Sequence, residues 1–224
     1  MEPAAAAPPS ARTRVRRHPE RAHYDRETVL AILDEGLVCH LGFLVDGVPF
    51  VMPTMYARRG DVLYVHGSPA SRMLRSAAGP ADVCLTVTLL DGLVLARSVF
   101  NHSMNFRSVV VLGRAEEVVE PDEKMLAFEA LVEHVCRGRW DDARRPTDKE
   151  LAATLVLRLS LDEVSAKVRD GGPRDGEDDL GLPVWAGEIP LRTTAMTPVR
   201  DERVPAAIAA PASIAGYARP GWTA

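Results

Sequence analysis

Short apolar segments joined by tight turns dominate the middle of this chain. Asp46-Gly47 and Asp91-Gly92 each separate two such segments, and this dipeptide is the strongest short hairpin signal. A third turn is predicted around Arg59-Gly60-Asp61. Strands joined this tightly must pair antiparallel, because parallel neighbours need a long crossover. The predicted strands are 37–45, 48–58, 62–66, 82–90, 93–100 and 107–119.

These segments are apolar on both faces. In 37–45 the odd positions are all apolar, yet Val38 and Leu44 occupy the other face, and residues 109–112 have no polar face. A half-solvated sheet would alternate between apolar and polar residues. We therefore expect a mainly β fold, a small closed barrel covered outside by helices or by a second subunit.

Two helices flank the predicted barrel. The first is 26–35, with Asp25 as N-cap and Gly36 as a C′ glycine, and the second is 121–137. Residues 154–171 are predicted as one further strand that ends at Gly171-Gly172.

Composition and termini restrict the class of protein. The 224 residues carry 27 Lys and Arg against 31 Asp and Glu, which argues against a nucleic-acid binder. No apolar run reaches the ~18 residues that span a membrane, and three widely spaced cysteines are typical of a cytoplasmic protein. We divide the chain into a flexible basic arm (1–24), a folded domain (25–192) and an Ala/Pro-rich tail (193–224). The arm either contacts nucleic acid or, as we expect, packs on its own acidic domain.

The common catalytic motifs are absent. The sequence has no GxGxxG, GxxxxGK[ST], GxSxG or HExxH. Its six histidines show no metal-ligand spacing, so we expect no metal site, and a lone strand histidine such as His40 is more often structural.

Residues 64–74, YVHGSPASRML, predict an anion site. Ser68 is a good N-cap with Pro69 following, so Ser71 and Arg72 fall in the first helical turn. An arginine is unfavourable at the positive end of a helix unless an anion such as phosphate neutralises it. The alternative is that Ser68 only caps the helix and Arg72 lies in solvent.

Two further segments contain candidate ligand contacts. In 103–113, Asn105, Arg107 and Ser108 precede an apolar strand, and Phe106 either stacks on a ligand or packs in the core. Pro53 interrupts an apolar strand, which marks an edge or a bulge with free backbone groups.

The order of these motifs resembles a known family. The chain reads YDRETVLAILDEG, LVCHLGFLVDGVPFVMPTMY, YVHGSPASRML, DVCLTVTLLDG, MNFRSVVVLGRAEEV, LDEVSAKVRDG and PVWAGEIPL. This resembles the flavin-nucleotide-binding proteins of the pyridoxamine 5′-phosphate oxidase-like superfamily, near the nitroimidazole-resistance reductases. The resemblance covers about residues 12–192. It implies a six-stranded antiparallel split β-barrel, a homodimer and FMN bound at the subunit interface.

By position, the resemblance assigns site residues. Ser71 and Arg72 would take the phosphate, and His66 is the expected catalytic proton donor, since an imidazole of near-neutral pKa suits that role. The residues expected to bind the cofactor are Met52, Pro53, Thr54, Met55, Tyr56, Val65, His66, Ser71, Arg72, Arg107, Ser108 and Trp185.

The chain also departs from its relatives. It reads PFVMPTM where true pyridoxamine phosphate oxidases have Arg-x-x-Leu-Leu-Lys, so we do not expect pyridoxal phosphate synthesis. Phe106 replaces a tyrosine of many relatives and lacks its hydroxyl. The leading hypothesis is an FMN-dependent oxidoreductase that passes electrons from a reduced nicotinamide to a small organic acceptor, such as a nitro compound. The alternatives are a non-catalytic FMN binder or redox sensor, a deazaflavin- or haem-binding protein, and an interaction module with an empty barrel.

Overall fold

The strands form one antiparallel sheet in the computed structural model, which describes residues 6–222. Their order is β1-β9-β6-β5-β2-β3-β4-β8-β7, and β10 pairs with β5. The mainly β class is confirmed, but the described sheet has ten strands rather than six and its path is open. The strands are β1 (Ala22–His23), β2 (Val38–Val45), β3 (Val48–Arg59), β4 (Val62–Gly67), β5 (Val83–Leu95), β6 (Ser103–Gly113), β7 (Glu116–Glu117), β8 (Leu155–Ser160), β9 (Val164–Arg169) and β10 (Gly187–Pro190).

Helices flank the sheet on both sides. They are α1 (Arg26–Glu35), α2 (Arg72–Ala77), α3 (Pro121–Val135), α4 (Arg139–Asp142), α5 (Asp148–Ala152) and α6 (Ala212–Ala215). Single 3-10 turns lie at Pro19–Arg21, Val99–Asn101 and Glu177–Asp179.

The three turn predictions have different outcomes. Asp46 and Gly47 have φ of 50° and 78°, so the β2–β3 hairpin is confirmed with both residues left-handed, as a type I′ turn requires. The turn after Arg59 is also confirmed, and Gly60 has φ of 59°. The hairpin at Asp91-Gly92 is wrong, because β5 continues through it with a register shift. A Cβ on Gly92 would lie 3.1 Å from the Ile189 carbonyl oxygen, so this glycine admits β10 beside β5.

The prediction of one strand over 154–171 is wrong. The segment forms β8 and β9, which separate at Ser160–Val164 and join different neighbours, β4 and β6. Leu161 at the turn is buried, and its N–H donates to the Asp61 carbonyl. The turn also contains the polar residues Asp162 and Glu163, but it lacks the glycine, proline or asparagine of a stronger turn signal.

Helix α1 forms where it was predicted. Asp25 accepts a hydrogen bond from the Thr28 N–H at 2.8 Å, the expected N-cap. Gly36 ends the helix with φ of −67°, so it is not the left-handed C′ residue that was expected. It is needed for space, because a Cβ there would lie 2.5 Å from Val87 Cγ1 and 2.8 Å from the Tyr56 hydroxyl oxygen.

The main hydrophobic core lies between the inner face of the sheet and helix α1. Cys39, Leu41 and Phe43 of β2 are buried there with α1 packed against them, whereas Val38 and Leu44 point outward and remain exposed. A second cluster lies between β4, β8 and α3, as the predicted outer helix requires. The two apolar faces of the strands thus have different neighbours.

Both chain ends pack on this core. Arg12 of the basic arm pairs with Asp82 and Glu163, and β1 joins the sheet beside β9. The tail is mostly irregular but is not separate from the fold, because Arg219 is buried. Its guanidinium donates to the carbonyl oxygens of His134, Asp34 (3.0 Å), Gly36 (3.2 Å) and Glu35 (3.3 Å). It therefore caps the C-terminal ends of α1 and α3.

We expect Arg219→Gln to lower the free energy of unfolding by about 2–3 kcal/mol, because it leaves several buried carbonyl groups without donors. Urea unfolding followed by circular dichroism measures this. Arg203→Gln is the matched control, since Arg203 is almost fully exposed and pairs with the neighbouring Asp201, so its loss should change stability by less than about 0.5 kcal/mol. Equal stability of the two variants would show that the tail does not support the fold.

Candidate functional site

The short helix α2 positions a cationic side chain beside β3. Ser71, not Ser68, is the N-cap, and it accepts a hydrogen bond from the Leu74 N–H at 3.4 Å. The Ser68 hydroxyl instead accepts from the Ala70 N–H in the preceding turn, so the helix begins only at Arg72. The Arg72 guanidinium lies over the Phe50 ring, 4.5 Å from its centroid.

The strand next to Arg72 is open to solvent. The side chains of Val51, Met52 and Pro53 are exposed, with Val51 at 64%. No carboxylate of residues 6–222 forms an ion pair with Arg72. An unpaired guanidinium beside an exposed apolar strand suits a ligand that has both an anionic and a planar apolar part.

His66 lies on the other face of β4 from the barrel core. Its ring is 5.8 Å from the Phe128 ring of α3, and its buried Nδ1 has no hydrogen-bond partner within the described residues. Burial lowers the pKa of His66 below its usual value, so the imidazole is neutral at pH 7. The pKa of His66 is therefore lower than the near-neutral value that the sequence led us to expect.

Tyr56 and Val65 face each other across β3 and β4, and both are buried. The Tyr56 hydroxyl donates to the Leu33 carbonyl at 2.6 Å, and its ring is 5.0 Å from the His134 ring. Burial raises the pKa of this phenol far above its usual value. This placement differs from the expected one, because a fully buried ring cannot line a surface that is open to a ligand.

Arg107 is held by two carboxylates. Its guanidinium bonds Glu35 and Asp91, with Nη2 at 2.8 Å and 2.7 Å from the respective oxygens, and these bonds raise its pKa. The Ser108 hydroxyl donates to the Lys167 carbonyl at 3.4 Å. The contact with Glu35 gave no sequence signal, because 72 positions separate the two residues.

The other residues that were predicted to contact the cofactor lie in different parts of the structure. Thr54 and Met55 continue β3 toward the buried Tyr56, whereas Trp185 precedes β10 and is 66% exposed. The structure therefore brings Arg72 and Ser71 to the face of β3 that carries Phe50 and Met52, whereas Pro53 lies on the opposite face and Arg107 and Trp185 lie elsewhere.

A cavity of about 480 Å³ lies beside Arg107, and sequence reasoning missed it. Its walls include Trp222 and Gly221 from the tail, which was treated as lying outside the fold. A second cavity of about 370 Å³ is lined by His134, Arg58 and Arg219. Both cavities depend on contacts between parts of the chain that are distant in sequence.

Membrane-spanning helices and metal sites are both absent from residues 6–222. No helix within residues 6–222 is long and apolar enough to cross a lipid bilayer. The described part of the chain also contains no group of three His, Cys, Asp or Glu side chains that could hold a metal ion.

Comparison with known proteins places this fold in a family. Residues 25–168 match the model of the pyridoxamine 5′-phosphate oxidase family, so the chain belongs to that family. This confirms the resemblance found in the sequence. No curated protein matches the chain.

Two solved structures are similar over most of the chain. The flavocytochrome Anf3 from Azotobacter vinelandii is 43% identical, with a TM-score of 0.91, and the match covers 96% of this chain and 100% of that one. The FAD and heme binding protein from Mycobacterium smegmatis is 35% identical, with a TM-score of 0.85, over 89% of this chain and 98% of that one.

A third structure shares the fold. It is a putative 5-nitroimidazole antibiotic resistance protein from Bacteroides thetaiotaomicron, 23% identical with a TM-score of 0.56. The match covers 66% of this chain and 86% of that one.

We expect His134 to make stability depend on pH. Its Nε2 contacts the Gly36 carbonyl at 2.7 Å, and burial together with the Arg219 charge lowers its pKa to about 4. The unfolded chain takes up this proton near pH 6.5, so stability is lost as the pH falls from about 6.5 to 4, by roughly 3 kcal/mol. Urea unfolding at several pH values measures the loss.

His134→Gln should flatten this dependence relative to the wild type, because glutamine does not titrate. Carboxylates also titrate in this range, so the difference between the two proteins is the quantity to compare. Identical pH profiles would show that His134 is not the responsible group.

Proposed function

We propose that this protein is a flavin-dependent oxidoreductase. It binds FMN, takes electrons from a reduced nicotinamide nucleotide and passes them to a small organic acceptor such as a nitro compound. The observation that carries the proposal is the unpaired Arg72 guanidinium on Phe50, beside an exposed apolar strand, in a chain of this family. The absence of a catalytic motif agrees with it, because in flavoproteins the cofactor supplies the chemistry.

The residues around Arg72 fit a flavin nucleotide. Arg72 and the Ser71 hydroxyl would hold the phosphate, and the exposed Met52, which lies on the same face of β3 as Phe50, would support the planar ring system. A bound flavin accepts two electrons from a reduced nicotinamide and gives them up to an acceptor. The chain's own part is to orient the cofactor, to exclude water and to supply a proton from His66, whose lowered pKa restricts this donation to the protonated fraction.

A homodimer with the flavin at the subunit interface is part of this proposal. Val38 and Leu44 of β2 are 50% and 45% exposed, and Val51 of β3 lies on the same outer face. An apolar sheet face of this kind is typical of a surface that a second copy covers. A cytoplasmic location is also proposed, since the three cysteines are unpaired, and neither nucleic acid nor membrane is a proposed partner.

The second candidate function is electron transfer that uses haem besides the flavin. It is favoured by the 43% identity to a protein described as a flavocytochrome and the 35% identity to one described as binding FAD and heme. His66 is the candidate ligand for such a role, because burial lowers its pKa and keeps the imidazole neutral, as binding to iron requires. These relatives also make FAD an alternative to FMN.

We expect Arg72→Gln to lose flavin after desalting, because the variant lacks the guanidinium that pairs with the phosphate. Absorption spectra of wild type and variant, recorded after incubation with FMN and desalting, measure the retained cofactor. A Soret band in the same spectra would report haem. Arg75→Gln is the matched control, since Arg75 is an exposed arginine of the same helix. Wild-type protein that retains no flavin would contradict the proposed function.

We expect His66→Ala to retain flavin but to reduce turnover by about tenfold or more, as general acid catalysis contributes at least this much. Steady-state kinetics with a reduced nicotinamide and a nitro compound measure the loss. His102→Ala is the control, because His102 is exposed and its ring contacts the Ser98 carbonyl. Unchanged turnover in His66→Ala would dismiss the proton-donor role.

A further inference from the structure

The junction of α1, β3, α3 and the tail contains a cavity of about 370 Å³, within the size range of small-molecule sites. Four arginines and three carboxylates line it, whereas His134 is neutral at pH 7 because its pKa is lowered to about 4. The arginines are Arg58, Arg59, Arg137 and Arg219. The cavity walls therefore carry one positive charge in excess, and an anion balances it.

Two of the carboxylates are paired with the arginines of β3. Asp34 of α1 accepts from the Arg58 Nε at 2.9 Å and from its Nη2 at 2.6 Å, which makes a bidentate pair. Glu129 of α3 accepts from the Arg59 Nη1 at 3.2 Å. These two pairs contribute no net charge to the cavity, so the other charged residues decide which ligand it suits.

The third carboxylate, Glu133, holds the turn that carries Arg137. Its two oxygens accept from backbone N–H groups in the turn between α3 and α4, at 2.7 Å and 2.9 Å. Arg137 itself is exposed and forms no hydrogen bond or ion pair with any of residues 6–222. Glu133 thus fixes the backbone beside Arg137 and leaves its guanidinium free to pair with an anion.

Arg219 supplies a buried donor at the wall of the same cavity. The residue is 8% exposed, and all of its acceptors are neutral carbonyl oxygens. Its Nε is buried and has no partner within the described chain. A buried donor without a partner costs free energy, so a ligand that brings an acceptor to it gains affinity. The negative ends of α1 and α3 offset part of the Arg219 charge, which leaves the excess mainly on Arg137.

His134 adds a hydrogen-bond acceptor. Its Nε2 is 2.7 Å from the Gly36 carbonyl oxygen, and a carbonyl can only accept, so Nε2 carries the hydrogen. In the neutral imidazole Nδ1 then has a free lone pair. This atom has no partner among the described residues and is not buried. The cavity therefore combines a free cation with an acceptor that requires an O–H or N–H group on the ligand.

One side of the cavity is apolar. Val135, Ala218 and Pro220 line it. Arg137 and Ala218 also line a cavity of about 520 Å³ that includes Tyr217, so the two cavities adjoin. The Tyr217 hydroxyl donates to the Val135 carbonyl at 2.9 Å, which holds its ring in place. A ligand bound at Arg137 can therefore extend an apolar group along the tail.

We propose that this cavity binds a small hydroxy acid with an apolar substituent. The carboxylate pairs with Arg137 and accepts from the Arg219 Nε, the hydroxyl donates to the His134 Nδ1, and the substituent packs on Ala218 and Tyr217. A carboxylate carries the single negative charge that balances the excess, whereas a phosphate group carries nearly two at pH 7.

This site is distinct from the one at Arg72. Arg58 lies at the opposite end of β3 from Phe50, eight positions further along the strand, and no residue of α2 lines the cavity. The inference therefore does not depend on the proposed flavin site.

The test uses mandelate as the probe in calorimetric titrations of the full-length protein. Phenylacetate lacks the hydroxyl and methyl mandelate lacks the charge, so each should bind about tenfold or more weakly. Arg137→Gln should weaken mandelate binding by a similar factor, a loss of about 1.4 kcal/mol. Arg139→Gln is the matched control, because this arginine of α4 lines neither cavity and the variant should match the wild type.

Nitrogen-15 spectra of histidine-labelled protein test the contact with His134 directly. Mandelate should shift the Nδ1 resonance that is missing from His134→Gln, and phenylacetate should leave it in place. Wild-type protein that does not bind mandelate, or equal affinity in Arg137→Gln, overturns the inference. Weaker mandelate binding in Arg72→Gln but not in Arg137→Gln also overturns it, because the carboxylate then binds at the proposed flavin site.

Discussion

The capping of the C-terminal end of α1 connects the main parts of this structure. The last carbonyl groups of a helix have no partner within the helix and must be satisfied from outside. Here the Tyr56 hydroxyl of β3, the His134 ring of α3 and the Arg219 guanidinium of the tail all bond carbonyls between Leu33 and Gly36. Sheet, outer helix and tail therefore meet at one point, and each depends on the others for its hydrogen bonds.

This junction determines which polar groups remain available for a ligand. Tyr56 and His134 are already bonded to carbonyl oxygens. Arg107 is neutralised by Asp91 and by Glu35, the last residue of α1. Arg72 lies away from the junction and has only the Phe50 ring beneath it. Whether a charged side chain has a partner within the chain, rather than its residue type, distinguishes structural residues from candidate functional ones.

The arginines near the end of β9 also differ in their partners. Arg97 has its carboxylate in Asp175, whereas Arg169 is surrounded by neutral oxygens and by two other positive charges. Each of these residues is an ordinary arginine in the sequence. Only their burial and their neighbours show that one is paired with a carboxylate and the other with neutral oxygens.

The sequence by itself determined the β class, helix α1 with its Asp25 cap, the hairpin at Asp46-Gly47 and the family. These features depend on residues within a few positions of one another, where periodicity and turn chemistry are direct signals. It also indicated Arg72 as a cation without a local partner. Tertiary structure decided the rest: Asp91-Gly92 is a bulge because β10 pairs there, and the tail is part of the fold because Arg219 reaches two helix ends. Such outcomes depend on which distant segments meet, and a local pattern of residues carries no information about that contact.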